Sequence, residues 1–258
     1  MPLAGTLVDG QYQLVRPLGR GASSVVYFAV GRDGLAYAVK LFPPELAHHA
    51  ERELLHGEGL NHPRLARVLA RTTVQGHPSL ILAFARGQVL FNRYQQRPPL
   101  RRGDERRAYL LTLAHLLDAL AHLHGQGTVH RDVKPENVIV DADGSAKLVD
   151  FDLSGPVGEA FDSPVRIGTA AFLSPEAMRG DPLTPASDLY GVGLLLHWGL
   201  YGELPSEEAE AGPPRGWPPD PLEVLCAELL DPIWQQRPSS AAGVRQELLR
   251  LAALPLSR

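Results

Sequence analysis

Residues 11–42 carry their apolar side chains in short runs divided by turn residues, which predicts three β-strands. Tyr12, Leu14 and Val15 open the first, Val25-Val26-Tyr27 belongs to the second, and Leu35–Leu41 forms the third after a turn at Arg32-Asp33-Gly34. A helix is expected over Glu45–His56, followed by strands at Leu65–Leu69 and Ser79–Phe84. Residues 88–107 are rich in Arg and Pro. They read as a solvated helix start balanced by Asp104 and Glu105, with a docking patch for an acidic partner as the less favoured alternative. Ala108–His124 has apolar residues at helical spacing and is expected to be a central core helix. Val138-Ile139-Val140 reads as a strand and Asp141-Ala142-Asp143-Gly144 as a hairpin turn. Between Pro205 and Pro221 the chain is rich in proline and acid, without a periodic apolar face, while 222–230 and 239–253 read as closing helices.

Composition narrows the class. At 258 residues there is material for one large domain or two packed lobes, and 44% apolar with 21% charged residues is the profile of a soluble globular protein. A net charge of −4 gives no support to nucleic-acid binding. The single cysteine, Cys226, excludes an internal disulfide and suits a reducing, cytoplasmic setting; its expected part is that of a small buried hydrophobe. No signal peptide is recognised, and the longest apolar run, Leu189–Leu204, is interrupted by glycines, His197 and Glu203, so no membrane segment is expected. Among 25 basic side chains, Lys occurs only at positions 40, 134 and 147. A chain that uses Arg almost everywhere keeps Lys where a compact ammonium is needed.

The candidate chemistry lies in His130-Arg131-Asp132-Val133-Lys134-Pro135-Glu136-Asn137. Pro135 lacks an N–H and fixes its own φ, so this segment is a loop between the apolar helix and the strand that follows. Asp132 can accept a proton from an attacking hydroxyl, Lys134 can neutralise charge on a moving phosphoryl group, and Asn137 can bind a metal ion through its amide oxygen. Those are the parts of phosphoryl transfer, in which positioning and charge stabilisation supply most of the rate.

The loop resembles the catalytic loop of the protein kinases, HRDxKxxN, with the lysine of the serine/threonine branch. The resemblance extends to a glycine-rich loop at Leu18-Gly19-Arg20-Gly21-Ala22-Ser23-Ser24-Val25-Val26, a strand-end lysine in Ala38-Val39-Lys40, and Asp150-Phe151-Asp152 in the place of the metal-binding DFG segment. It continues through Gly168-Thr169 with Ser174-Pro175-Glu176 and covers about Tyr12 to Leu251. It implies a two-lobed α+β kinase fold, with a small antiparallel-sheet N-lobe of five strands and one helix and a mainly helical C-lobe. The expected bounds are one domain over 1–258, with the N-lobe at about 10–84, the hinge at 83–87 and the C-lobe at 88–253.

The implied activity is that of a bacterial-type serine/threonine protein kinase using ATP and Mg²⁺, with Mn²⁺ as the alternative ion, on Ser/Thr hydroxyls of a protein substrate. Lys40 is expected at the α- and β-phosphates and on a carboxylate of the next helix, Glu53 by spacing with Glu51 as the fallback. Leu18, Gly19, Gly21, Ser24, Val26, Ala38, Leu82, Phe84, Ala85 and Ile139 are expected around the nucleotide, and Asn137 and Asp150 on the metal. Thr169 is expected on Asp132 and Lys134, Glu176 on Arg237, and Asp188 on the catalytic-loop backbone. His115, His122 and His124 are expected only to pack or cap.

Four features depart from the family pattern. Ser24 replaces a third glycine, Gly57 stands where a large apolar residue is common, Asp152 replaces the DFG glycine, and the 205–221 segment is reduced. Gly57 predicts a loosely packed helix end, and Asp152, at a position that favours left-handed backbone, is expected to restrict its own segment without touching the metal role of Asp150. A phosphate on Ser163 is expected to pair with Arg131, unless Glu159 or Asp162 already fills that role. The rival readings are a pseudokinase binding module and a small-molecule phosphotransferase of the same superfold.

Overall fold

The alternation in the first eighty residues is realised as an antiparallel sheet in a computed structural model that describes residues 3–94, 100, 103–160, 170–205 and 220–254. Its strands are β1 (Leu7–Val8), β2 (Tyr12–Arg20), β3 (Val25–Gly31), β4 (Ala36–Leu41), β5 (Val68–Val74) and β6 (His77–Ala83), in the order β1-β2-β3-β4-β6-β5. The sheet therefore has six strands where five were expected; β1 is a two-residue addition paired Leu7 to Gln13 and Val8 to Tyr12. One face buries Leu14, Ala29, Val39, Leu41 and Ile81 as a core of its own. Because side chains alternate across a strand, the opposite face of β4 presents Ala38 and Lys40. Ala38 lies across from Leu82, and Lys40 from Leu80 and Val26, so the register sets which residues share the cleft side.

The expected strand at Leu65–Leu69 is displaced, since β5 begins at Val68. That apolar run serves two partners. Ala66 N–H donates to Leu148 O and Leu148 N–H donates to Arg64 O, while only the later residues join the sheet. The turn from β5 into β6 has both central residues left-handed, Gln75 at φ 51° and Gly76 at φ 82°, as a tight hairpin requires. Between β4 and β5, helix α1 (Ala47–Gly57) follows a 3₁₀ turn at Pro44–Leu46, so the predicted helix starts two residues late.

The second half begins with β7 (Gln88–Val89) and α2 (Leu90–Tyr94), then the central helix α3 (Gly103–Gly125). The strands β8 (Thr128–Val129), β9 (Val138–Val140), β10 (Ala146–Leu148) and β11 (Gly155–Pro156) form two small sheets, β10-β9-β7 and β11-β8. The helices α4 (Pro175–Arg179), α5 (Pro185–Tyr201), α6 (Pro221–Leu229) and α7 (Ala241–Ala252) complete this half. Leu113, Leu116, Leu120 and Leu123 of α3 pack with Leu189 and Leu196 of α5 and with Leu248 of α7. The same core reaches Phe42, Leu65, Leu80 and Phe151, so it runs continuously under the cleft.

The hinge depends on Gly87, whose φ is 125°; a Cβ there would collide with the Val140 carbonyl. This architecture is the two-lobed arrangement expected, a curled sheet with one helix set against a helical half. The segment from 206 to 219, expected to be a shortened docking region, lies outside the described residues.

Candidate active site

Lys40 is the centre of the polar end of the cleft. It is 2% exposed, with Nζ 2.8 Å from Glu53 Oε2, 2.7 Å from Asp150 Oδ1 and 3.7 Å from Asp152 Oδ2. Burial alone would lower the ammonium's pKa, but the charges of Asp150, Glu53 and Asp152 outweigh it and hold Lys40 well above the ordinary lysine range. Burial would raise Asp150, yet the Lys40 charge and hydrogen bond carry it well below the usual carboxylate range. Of the two candidate glutamates on α1, Glu53 reaches Lys40, while Glu51 points outward with Arg71 at 3.9 Å. Three carboxyl groups thus surround this one ammonium.

The loop between β8 and β9 is held from below. The backbone N–H groups of His130 and Arg131 each donate to Asp188 on α5 at 2.8 Å, and His124 Nε2 lies 2.8 Å from the same carboxylate. His124, expected only to pack or cap, is thus part of the anchor. Arg131 and Asp150 adopt left-handed φ values of 70° and 71°, a cost on the order of 1 kcal/mol each that the Asp188 and Lys40 contacts sustain. Asn137 Nδ2 donates to the Asp132 carbonyl and to Asp132 Oδ2, both at 2.8 Å, and Lys134 Nζ is 2.7 Å from the same Oδ2. His130 Nδ1 accepts from the Asp132 N–H at 3.3 Å and its Nε2 donates to the Val149 carbonyl at 3.3 Å, which places the ring proton on Nε2.

Beside these groups lies a largely apolar cavity of about 260 Å³. Leu18, Gly19, Val26 and Ala38 line its roof, Leu82, Phe84 and Ala85 its hinge wall, Ile139 its floor, and Lys40, Asn137 and Asp150 its polar end. The sheet ladder stops at Ala83, opposite Tyr37, so the hinge backbone beyond it is not consumed by strand pairing. Gly21 and Ser24 are not part of the lining; instead the Gly21 N–H donates to the Ser24 carbonyl at 2.9 Å and closes the loop turn. Val89 and Val149 belong to the lining and were not anticipated. Val89 is the register partner of Ile139, a relation only strand pairing reveals.

The donor set suits a hard divalent cation. With both Asn137 amide hydrogens directed at Asp132, its carbonyl oxygen is left as a ligand, and the Asp150 side chain is 30% exposed to the cleft. Among the described residues no cluster of three or more His, Cys, Asp or Glu is spaced to hold a metal. An ion held here would need ligands from outside the protein as well.

Around the site, Arg131 lies 2.7 Å from Glu159 and donates to the Pro156 carbonyl at 2.8 Å. Gly155 leaves the space the guanidinium fills, since a Cβ there would collide with it. Glu159 is held below its ordinary pKa by that hydrogen bond. Arg237 forms a buried bidentate pair with Glu176 at 2.7 and 2.9 Å, as the sequence led us to expect. Ser163 and Thr169 lie outside the described residues.

Two expectations are corrected. Gly57 does not mark a loose helix end: a Cβ there would collide with Val68, and Phe151 is close by, so glycine lets α1 pack tightly. Asp152 does not occupy the left-handed region; its neighbour Asp150 does. Its side chain turns inward, accepts a 2.7 Å hydrogen bond from Ser23 Oγ and lies 3.6 Å from His49 Nδ1. Burial pushes this carboxyl up to about 7, Asp150 and Glu53 adding to the rise and Lys40 opposing it. The only advance signal for this inward carboxylate was its place two residues after Asp150.

Comparison with known proteins adds the family. Residues 12–217 match the model of the protein kinase domain. The chain is 28% identical to the probable serine/threonine-protein kinase pknA2 of Bifidobacterium longum, an alignment covering 97% of this chain and 36% of that protein. It is 32% identical to the serine/threonine-protein kinase PknL of Mycobacterium tuberculosis, over 96% of this chain and 68% of that one. Identity to the probable serine/threonine-protein kinase PkwA of Thermomonospora curvata is 30%, over 94% and 34% respectively. The chain thus spans about a third of the length of two of these relatives and two thirds of the other. A lysine–glutamate pair, an aspartate on the same lysine and an Asp-Lys-Asn loop around one cleft accord with that match, and the chain belongs to the protein kinase domain family.

Proposed function

We propose that this chain is a serine/threonine protein kinase that transfers the γ-phosphoryl group of ATP to hydroxyls of protein substrates. The observation that carries the reading is the convergence, at one end of an apolar cavity, of the Lys40–Glu53–Asp150 cluster with the Asp132–Lys134–Asn137 loop. Adenine enters between the roof at Val26 and Ala38 and the floor at Ile139, against the hinge backbone at Phe84 and Ala85. Lys40, oriented by Glu53, binds the α- and β-phosphates. Asp132 orients the substrate hydroxyl and takes its proton, and Lys134 stabilises the transferring group. Thr169, by family resemblance, joins Asp132 and Lys134.

Asp150 and Asn137 are the residues that would hold Mg²⁺, or Mn²⁺ in its place. When bound, the ion supplies neutralisation of the charge on the phosphate oxygens. We take the boundaries as an N-lobe of about 10–84, a hinge at 83–87 and a C-lobe at 88–253. No helix among the described residues is long and apolar enough to cross a membrane. The free, buried Cys226, which burial pushes up to about 12, supports a reducing setting such as the cytoplasm.

The test is incubation of the purified chain with γ-labelled ATP and a generic protein substrate, with and without Mg²⁺, followed by phosphoamino-acid analysis. Label on serine or threonine that requires the ion supports the reading. ATP binding without transfer would replace it with that of a nucleotide-binding module.

A further inference from the structure

We propose that Asp152 is a positioning residue for nucleotide binding: through Ser23 it fastens the loop between β2 and β3 over the phosphate end of the cleft. The inference rests on the reading of that cleft as a nucleotide site. Ser23 Oγ donates to Asp152 Oδ2 at 2.7 Å, across 129 residues of sequence, and the two residues are 9% and 5% exposed. A hydrogen bond from a hydroxyl to a buried carboxylate is of the stronger kind, and water competes poorly for it.

Within the loop the remaining tie is local. The β2–β3 ladder ends at Arg20 and Val25, and the Gly21 N–H donates to the Ser24 carbonyl. Among the described residues, the Ser23 bond is the side-chain hydrogen bond that joins residues 21–24 to anything outside the loop. Asp152 itself lies against two other elements, 3.7 Å from Lys40 of β4 and 3.6 Å from His49 of α1. The carboxylate thus connects the loop, the strand lysine and α1 at a single point. A glycine at 152 would offer no acceptor.

The consequence is energetic. Apart from Arg20, residues Gly19 to Ser24 are small, so ordering them over a ligand costs conformational entropy. A tie that holds the loop before the nucleotide arrives removes part of that cost from binding. Asp152 also carries charge beside incoming phosphates, so the test must separate tie from charge. Ser23→Ala addresses the tie directly, because it deletes the donor and removes no ionisable group.

The experiment is a double-mutant cycle on Ser23→Ala and Asp152→Ala, read by ATP affinity in calorimetry and by KM and kcat. Ser23→Ala should weaken ATP binding about tenfold, the loss of one hydrogen bond to a charged group. KM should rise with it while kcat changes less than twofold. In the Asp152→Ala background the same Ser23 substitution should have no further effect. In Asp152→Asn, which keeps an acceptor and loses the charge, it should retain a reduced one. Hydrogen exchange of residues 19–24 without nucleotide should quicken in Ser23→Ala, a readout independent of catalysis. Equal effects of Ser23→Ala with and without Asp152, or unchanged exchange in the loop, would overturn the proposal. A wild-type chain that binds no ATP would instead overturn the reading of the cleft; the exchange measurement would still decide the tie.

Discussion

Asp132 Oδ2 is engaged by Lys134 and Asn137, which leaves Oδ1 for the proton transfer proposed above. Asp132→Asn removes the base and keeps the shape. Transfer should fall about 10²- to 10⁴-fold, the usual worth of general-base catalysis, while ATP affinity stays close to wild type. Single-turnover rates beside calorimetric binding check this; near wild-type transfer would remove Asp132 from the proton path. Asp188 gives a residue-scale prediction for pH. Burial would raise its pKa, but hydrogen bonds from His124 and the His130 N–H outweigh it and leave the folded value below the usual aspartate. The folded state therefore holds that proton less tightly than the unfolded chain. The stability Asp188 confers is full above about pH 4, the ordinary aspartate value, and disappears as pH falls through the lower folded value. Asp188→Asn should cost about 1.5–3 kcal/mol at neutral pH and flatten the loss of stability as pH falls below about 4. Urea midpoints measured across that range would show it, and an unchanged slope would contradict the shift.

Among the elements, α1 decides whether Lys40 has its partner. Its C-terminal end rests on Val68 and Phe151 because Gly57 offers no side chain to hold them off. Gly57→Leu should force the helix outward, destabilise the fold by about 1–3 kcal/mol through overpacking, and lower activity by lengthening the Lys40–Glu53 contact. The joint measurement is thermal melting and kcat/KM; a stable variant with full activity would show that α1 can repack without moving Glu53. The strand β11 and the loop after it present Glu159 to Arg131 at 2.7 Å. On the proposed reading, that contact fills the role that a phosphate on the loop would otherwise play. Phosphatase-treated wild type is expected to remain active, whereas Glu159→Gln should lose several-fold at low salt and less at high salt, where the wild-type contact is itself screened, since the glutamate is 44% exposed. Strict dependence of wild type on phosphorylation would reverse this assignment.

Across the whole molecule, the Glu176–Arg237 pair fastens the segment after the catalytic region to the closing part of the helical half. Arg237 also donates to the Ala186 and Asp231 carbonyls, so one guanidinium joins three stretches of chain. Removing one member of a buried pair strands the other charge. Arg237→Ala should cost roughly 3–5 kcal/mol, which for a chain of this size lowers Tm by about 10 °C. The cavity itself should keep its nucleotide affinity at low temperature, because neither residue lines it. Calorimetric melting with ATP binding at low temperature separates the two effects.

Much of this molecule was legible in its residues. Local spacing was enough for the strands around Lys40, the central helix, the Asp141–Gly144 turn and the Asp132-Lys134-Asn137 loop, because each is determined by neighbours a few positions apart. The choice of Glu53 over Glu51 also followed from spacing, that to Asn61-His62-Pro63. The tertiary structure decided what depends on distant packing. Whether Gly57 meant looseness or close contact turned on Val68 and Phe151, which no helix-end rule includes. Whether Asp152 was a backbone substitution or a buried carboxylate turned on Ser23, 129 residues away, and on the charge of Lys40. A side chain's direction and the balance of charge around it are set by several elements at once, so these two residues became readable only when the chain had brought its strands and helices together.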